Sequence, residues 1–246
     1  MKTFALVGRN ISYSFSRRYF AEKFAHEQIT DSEYVNFDIP TIEELPALIR
    51  TTPTLVGMNV TIPYKEAILP LLDEQSEELM TIKACNTIKV LPTGKLKGYN
   101  TDYIGFHDSL VLYLKPHHNK ALILGTGGAS KAVIFTLEQL GIPYILVSRK
   151  ASAQAISYAS LGEEIIRSHL LIINTTPLGT SPDTQAFPPI PYEFVTDKHL
   201  LYDLIYNPEK TVFLAKGEAQ GATILNGYPM LALQAEASWE IWNSEK

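Results

Sequence analysis

Cysteine is nearly absent from this 246-residue chain, where Cys85 stands alone. A single thiol excludes an intramolecular disulfide framework and fits a reducing compartment, so a cytoplasmic location is expected. Charge is also sparse, at 19% of residues, with 21 basic against 26 acidic side chains and a formal net charge of -5. No block of one sign forms a tail, and the acidic balance argues against a nucleic-acid partner. Long apolar runs are missing too. The first, Phe4-Ala5-Leu6-Val7, stops at Gly8; it is short for a signal-peptide core and suits a first β-strand. No stretch has the length to span a bilayer, so no membrane association is expected. The six histidines show no metal-ligand spacing, and no metal is expected.

What is present is an ordinary globular composition, 46% apolar, long enough for one large domain or two modest ones. Strand-like and helix-like segments alternate, which predicts an α/β architecture with largely parallel sheets. Strands are expected at 4–7, 35–37 and 57–61, then a hairpin of 85–90 with 95–99 around Pro92-Thr93-Gly94. Further strands fall at 121–124, 144–147, 170–174, 200–204 and 222–225. Ser16 is a candidate cap for a helix carrying Phe20 and Phe24, and Thr41-Ile42-Glu43-Glu44 has the form of a capping box. Pro63 suits a first helical turn. A helix from Tyr103 carries Ile104, Phe106, Leu110 and Leu114, and another covers 228–242. The polar run Pro116-His117-His118-Asn119-Lys120 reads as a solvated boundary, and residues 180–191, with four prolines, as a long mobile loop.

Leu124-Gly125-Thr126-Gly127-Gly128-Ala129 places a glycine turn between a strand and a helix. That order lets backbone N–H groups approach a pyrophosphate at a helix N-terminus. Ser130 stands where the usual fingerprint has its third glycine, so the pattern is a variant. About twenty residues on, an NAD enzyme places a carboxylate against the ribose. This chain has Ser148-Arg149-Lys150 instead; two cations suit a 2′-phosphate, and NADP(H) is the expected cofactor. Tyr206-Asn207-Pro208-Glu209-Lys210 has the spacing of the short-chain dehydrogenase Tyr/Lys pair, but Pro208 forbids the helix that pair needs.

Gly57-Met58-Asn59-Val60-Thr61-Ile62-Pro63-Tyr64-Lys65 and Asn100-Thr101-Asp102 offer one lysine and one aspartate. An ammonium favoured by a carboxylate can protonate the oxygen of a carbonyl under reduction without a metal. Taken with Ile11-Ser12-Tyr13-Ser14-Phe15-Ser16, Ala84-Cys85-Asn86-Thr87, Asn174-Thr175-Thr176-Pro177-Leu178-Gly179, Asp203-Leu204-Ile205-Tyr206-Asn207-Pro208 and Met230-Leu231-x-x-Gln234, the chain resembles the shikimate dehydrogenases over nearly its whole length.

The resemblance implies NADP-dependent, reversible reduction of 3-dehydroshikimate to shikimate in aromatic amino-acid biosynthesis. It also implies two domains: 1–102 with 226–246 for the substrate, and a Rossmann-like 103–225 for NADP. It makes Lys65 and Asp102 catalytic and assigns Ser14 and Ser16 to the substrate carboxylate. Asn59, Thr61, Asn86 and Gln234 would read the polyhydroxylated ring, with Asn59 alternatively bracing its loop. Tyr206 would border the pocket, a core tyrosine being the other reading. Cofactor contacts fall to Gly125, Thr126, Gly127, Gly128, Ala129, Ser148, Arg149, Lys150, Thr175 and Gly227. Family members usually carry histidine at Tyr13 and proline at Arg17, which bears on the shape of that loop. A quinate/shikimate dehydrogenase accepting NAD and a catalytically silent sensor remain as rival readings, and the assembly is a monomer or a homodimer.

Overall fold

The computed structural model describes every residue except Tyr13, Glu245 and Lys246, so the Tyr13 substitution lies outside the described residues. The chain divides into two compact units, Met1–Thr101 with Gln234–Lys246, and Asp102–Leu233.

The first unit contains β1 (Lys2–Gly8), α1 (Phe15–His26), β2 (Ser32–Asp38), α2 (Leu45–Thr51), β3 (Leu55–Val60), α3 (Tyr64–Ala67), β4 (Glu74–Gln75), α4 (Glu77–Ile82), β5 (Thr87–Val90) and β6 (Leu96–Tyr99). They form a six-stranded sheet in the order β2-β1-β3-β5-β6-β4. β1 runs parallel to β2 and β3, while the β5–β6 hairpin adds antiparallel to β3. One core of this unit gathers Ala5, Val7, Met58, Val60, Ile68 and Ile88. Another is aromatic: Phe4, Phe20, Phe24 and Tyr34 pack with Trp242, and Trp239 sits against them. Trp242 comes to 4.9 Å from Phe4 and donates its Nε1–H to the Ile88 carbonyl at 2.9 Å. Gly57 makes room for that ring, since a Cβ there would sit 2.2 Å from Trp242 Cδ1.

The second unit contains α5 (Asp102–Leu110), β7 (Ala121–Leu124), α6 (Gly128–Gln139), β8 (Tyr144–Ser148), β9 (Ala155–Ser157), α7 (Glu163–Ser168), β10 (Leu171–Asn174), β11 (Leu200–Asp203), α8 (Val212–Glu218) and β12 (Thr223–Leu225). It also takes the start of α9 (Tyr228–Asn243), which continues into the first unit. Its sheet, ordered β12-β11-β10-β7-β8-β9, is parallel throughout. Strand order reverses between β7 and β10, the topological switch point of a doubly wound sheet. Leu122, Leu124 and Ile172 enter one core and Ala121, Ile123, Leu171 and Ile173 the other, so both faces are covered, as a parallel sheet requires.

Several local expectations are corrected. Ser14, not Ser16, caps α1, its Oγ accepting from Arg17 N–H at 3.4 Å. Ser16 lies instead in the first helical turn. Thr41 makes no side-chain cap, because residues 42–44 form a 3-10 turn before α2. α5 ends at Leu110, short of Leu114. His118 is buried, not solvated: its Nδ1 accepts from Lys115 N–H at 3.1 Å and its Nε2 lies 3.0 Å from the Lys198 carbonyl. Residues 180–191 contain no regular element, yet Phe187 and Ile190 pack into the core of the unit. The Lys216 ammonium also stands over the Phe187 and Tyr192 rings, at 4.6 and 5.4 Å from their centroids. That segment is anchored, contrary to the expectation of a mobile loop.

Candidate functional site

In the second unit the glycine turn leaves β7 at Leu124 and enters α6. Gly125 has φ +110°, and a Cβ on it would meet Thr175 Oγ1 at 2.8 Å and Thr176 Cγ2 at 2.9 Å, so glycine is required twice over. Gly127 and Gly128 differ: a Cβ on either would meet nothing within 4 Å. The protein's own packing does not demand glycine there. The open room lies at the start of a twelve-residue helix with no acidic residue in its first turn, the setting an anion prefers.

A cavity of about 400 Å³ opens at this turn. It is lined by Gly125, Thr126 and Gly127, by Ser148 and Arg149 from the end of β8, and by Thr175, Thr176, Pro177 and Leu178 after β10. Tyr158 completes the lining. Burial pushes its hydroxyl up to about 12, while the charge of Arg149 pulls the other way. Thr175 fastens this wall to the glycine turn: its N–H and Oγ1–H both donate to the Leu124 carbonyl, at 2.9 and 2.8 Å. The expected Gly125, Thr126, Gly127, Ser148, Arg149 and Thr175 thus share one cavity. Gly128 and Ala129 begin α6 beside it. Lys150 is exposed and outside the lining, its carbonyl accepting from Ser148 Oγ. Gly227 lies against the end of β11, where a Cβ would stand 2.1 Å from the Leu204 carbonyl oxygen. Its glycine is explained by that approach. Tyr158, Thr176, Pro177 and Leu178 were absent from the expected set; the last three adjoin Thr175 in a quoted motif, whereas Tyr158 has no local signal.

In the first unit a buried polar cluster forms around Asn59. Its Nδ2 donates to Ser238 Oγ at 2.9 Å, Thr87 Oγ1 at 3.2 Å and the Asn86 carbonyl at 3.3 Å, and its Oδ1 accepts from Tyr34 O–H at 2.8 Å. The Asn59 amide is saturated by protein, which makes it a brace. Asn86 donates to Thr101 Oγ1 at 3.0 Å and Gln234 Oε1 at 3.3 Å, and its Oδ1 accepts from Thr101 N–H at 2.6 Å. Asn59, Asn86 and Gln234 are therefore brought together, with Thr87, Thr101 and Ser238 as links. Burial pushes the Tyr34 hydroxyl far above its ordinary range, opposed by a hydrogen bond from Ser16. Ser16 thus borders the cluster through Tyr34, which sequence reasoning missed along with Ser238. Thr61 follows β3 and is half-buried. Lys65, also half-buried, is second in the four-residue α3, its carbonyl accepting from Cys85 N–H at 2.7 Å. Asp102 heads α5 in the second unit and is buried. Tyr206 follows β11 and is 37% exposed, which sets aside the core-tyrosine reading.

Among the described residues no group of His, Cys, Asp and Glu could hold a metal ion, and no helix is long and apolar enough to cross a membrane.

A doubly wound parallel sheet, a glycine turn at its switch point and a basic residue on the cavity wall define a dinucleotide-binding unit. Residues 6–88 match the model of the shikimate dehydrogenase substrate binding domain. The chain is 35% identical to the shikimate dehydrogenase (NADP(+)) of Caldicellulosiruptor bescii, covering 98% of this chain and 89% of that one. It is 36% identical to that of Caldanaerobacter subterraneus subsp. tengcongensis, covering 99% and 92%. The Thermus thermophilus shikimate 5-dehydrogenase, solved with NADP(H) and shikimate, superposes with a TM-score of 0.86 at 32% identity over 99% of this chain and 94% of that one. The chain belongs to the shikimate dehydrogenase family.

Proposed function

We propose that the protein catalyses the reversible, NADP-dependent interconversion of 3-dehydroshikimate and shikimate. The observation that carries this reading is the cavity at the glycine turn, with open room at Gly127 and Gly128 and Arg149 on its wall, in a chain of this family. The residues present fit the cofactor. Gly125, Thr126 and Gly127 would hold its pyrophosphate at the start of α6, and Arg149 with Ser148 its 2′-phosphate. NADPH supplies the hydride when bound.

The remaining chemistry belongs to the chain. As the substrate carbonyl is reduced, the Lys65 ammonium gives a proton to its oxygen; in the oxidation direction the neutral amine takes one back. Asp102 is the second catalytic residue of this reading. Asn86 and Gln234 read ring hydroxyls from the buried cluster that Asn59 braces, and a ring lacking a hydroxyl is rejected because a buried polar group is then left unpaired. Ser14, Ser16 and Thr61 take the rest of the ring and its carboxylate, and Tyr206 is a further substrate contact of this reading. Accordingly, Met1–Thr101 with α9 from Gln234 is the substrate domain and Asp102–Leu233 the cofactor domain. The protein works in the cytoplasm as a monomer or a homodimer.

Initial rates of shikimate and quinate oxidation, with NADP and NAD in parallel, test the reading. Turnover confined to shikimate with NADP is expected. Comparable rates with quinate or NAD would move the protein to the broader dehydrogenases, and shikimate binding without turnover would leave a sensor.

A further inference from the structure

Asp203 is wholly buried at the end of β11, in register with Asn174 at the end of β10. Its carboxylate takes three hydrogen bonds. Oδ1 accepts from Asn174 Nδ2 at 3.0 Å and Ile205 N–H at 3.1 Å, and Oδ2 from Thr211 Oγ1 at 2.6 Å. On the far side of the same amide, Asn174 Oδ1 accepts from Thr176 N–H at 3.0 Å and Thr176 Oγ1 at 2.7 Å. Thr176 Oγ1 in turn accepts from Leu178 N–H at 3.3 Å. Thr176 and Leu178 line the cavity at the glycine turn.

An ionised carboxylate only accepts, so Asn174 must present its NH₂ to Asp203. That choice puts the amide oxygen toward Thr176, where two donors converge. The flipped amide would set oxygen against carboxylate on one side and NH₂ against the Thr176 N–H on the other. One carboxylate therefore selects one amide orientation, and the amide selects the shape of the wall at 175–178. Burial pushes the Asp203 carboxyl up to about 6, so at neutral pH the fold carries a charge that a neutral residue would spare it.

We propose that Asp203 is a positioning residue for the dinucleotide, acting through Asn174 on the wall formed by Thr175, Thr176, Pro177 and Leu178. This rests on the functional reading above. The amide of Asp203→Asn can keep an oxygen at the Oδ1 position and turn its NH₂ to Thr211 Oγ1, so the relay to Asn174 survives. Asp203→Leu removes the acceptor and frees Asn174 to flip.

The test compares full-length wild type, Asp203→Leu and Asp203→Asn, each checked for folding by circular dichroism. KM for NADP and for shikimate is measured, and NADP binding is measured directly by calorimetry. Asp203→Leu is expected to raise KM and Kd for NADP about tenfold, with shikimate KM within about twofold, the scale of one lost hydrogen-bond partner. Asp203→Asn is expected to restore NADP affinity to within about twofold. Unchanged NADP affinity in Asp203→Leu, a parallel rise in both KM values, or a failure of Asp203→Asn to restore would each overturn the proposal. Should Asp203→Leu not fold, Asp203→Ser, too short to reach Asn174 and Thr211 together, carries the same comparison. Absence of wild-type turnover would sink the functional reading alone, because the calorimetric comparison still decides the role of Asp203.

Discussion

Replacing Asp203 by Asn should make the second unit more stable at neutral pH and leave it nearly unchanged in mild acid. Burial raises this carboxyl from its ordinary 3.8 to about 6, against hydrogen bonds from Thr211, Ile205 and Asn174 that lower it. At about 1.4 kcal/mol per pH unit, carrying the ionised form costs about 3 kcal/mol at pH 7. Between pH 3.8 and 6 the native carboxyl keeps its proton while the unfolded one has lost it. The native state then binds more protons, so this group's contribution falls as pH rises through that window and is flat above it. An amide does not titrate. The stability difference, variant minus wild type, should therefore climb by about 2–3 kcal/mol from pH 4 to pH 7. His118, His169 and His199 are pulled down by burial and destabilise on acidification, but both proteins share them and they cancel in the difference. Urea unfolding followed by circular dichroism measures it. Trp239 and Trp242 both lie in the first unit, so tryptophan fluorescence marks that transition separately. A difference flat to about 0.5 kcal/mol, or one falling with pH, would refute a buried carboxylate of raised pKa.

Lys65→Ala should lower turnover by roughly 10²–10⁴ with modest loss of shikimate binding; a fall under about tenfold in single-turnover measurements would exclude proton transfer from Lys65. Arg149→Asp should raise KM for NADPH by far more than KM for NADH, and equal effects on the two cofactors would remove Arg149 from the 2′-phosphate. Gly57→Ala places a methyl 2.2 Å from Trp242 Cδ1 and should destabilise the first unit by about 1–3 kcal/mol, read from the tryptophan fluorescence transition; a neutral result would mean the indole is free to move.

The alternation of strands and helices was legible because parallel strands read as continuous apolar runs. The 121–124 and 171–174 segments are buried on both faces. The glycine turn was legible as well, since its requirements are local to a few residues of backbone. Short elements escaped. α4 has only six residues behind its Ser76 cap, and β9 has three on a sheet edge; neither spans enough chain to establish a period. Ser14 and Ser16 are equivalent as capping chemistry, and only the backbone conformation at Ser14 decides between them. The polar run at 116–120 reads as solvated because the partner that buries His118, the Lys198 carbonyl, lies eighty residues on. The cluster around Asn59 is harder still. Its members come from positions 34, 86, 87 and 238, and no spacing in the sequence announces that they meet. Tyr158 was invisible for the same reason. Asp203 and Asn174 stood in quoted motifs without a role, since a residue that acts through a neighbour shows its purpose only as geometry.

The first unit draws Gln234, Ser238, Trp239 and Trp242 from beyond the second, which is one unbroken segment from Asp102 to Leu233. During synthesis the ribosome therefore delivers the second unit whole while the first is still missing part of its interior. Until α9 emerges, Asn59 lacks its bond to Ser238, Phe4 lacks both indoles, and the space above Gly57 stands open. The portion translated first is the portion finished last, and its early strands β1 and β3 must wait, with apolar surface bared, for a helix made at the other end of the chain.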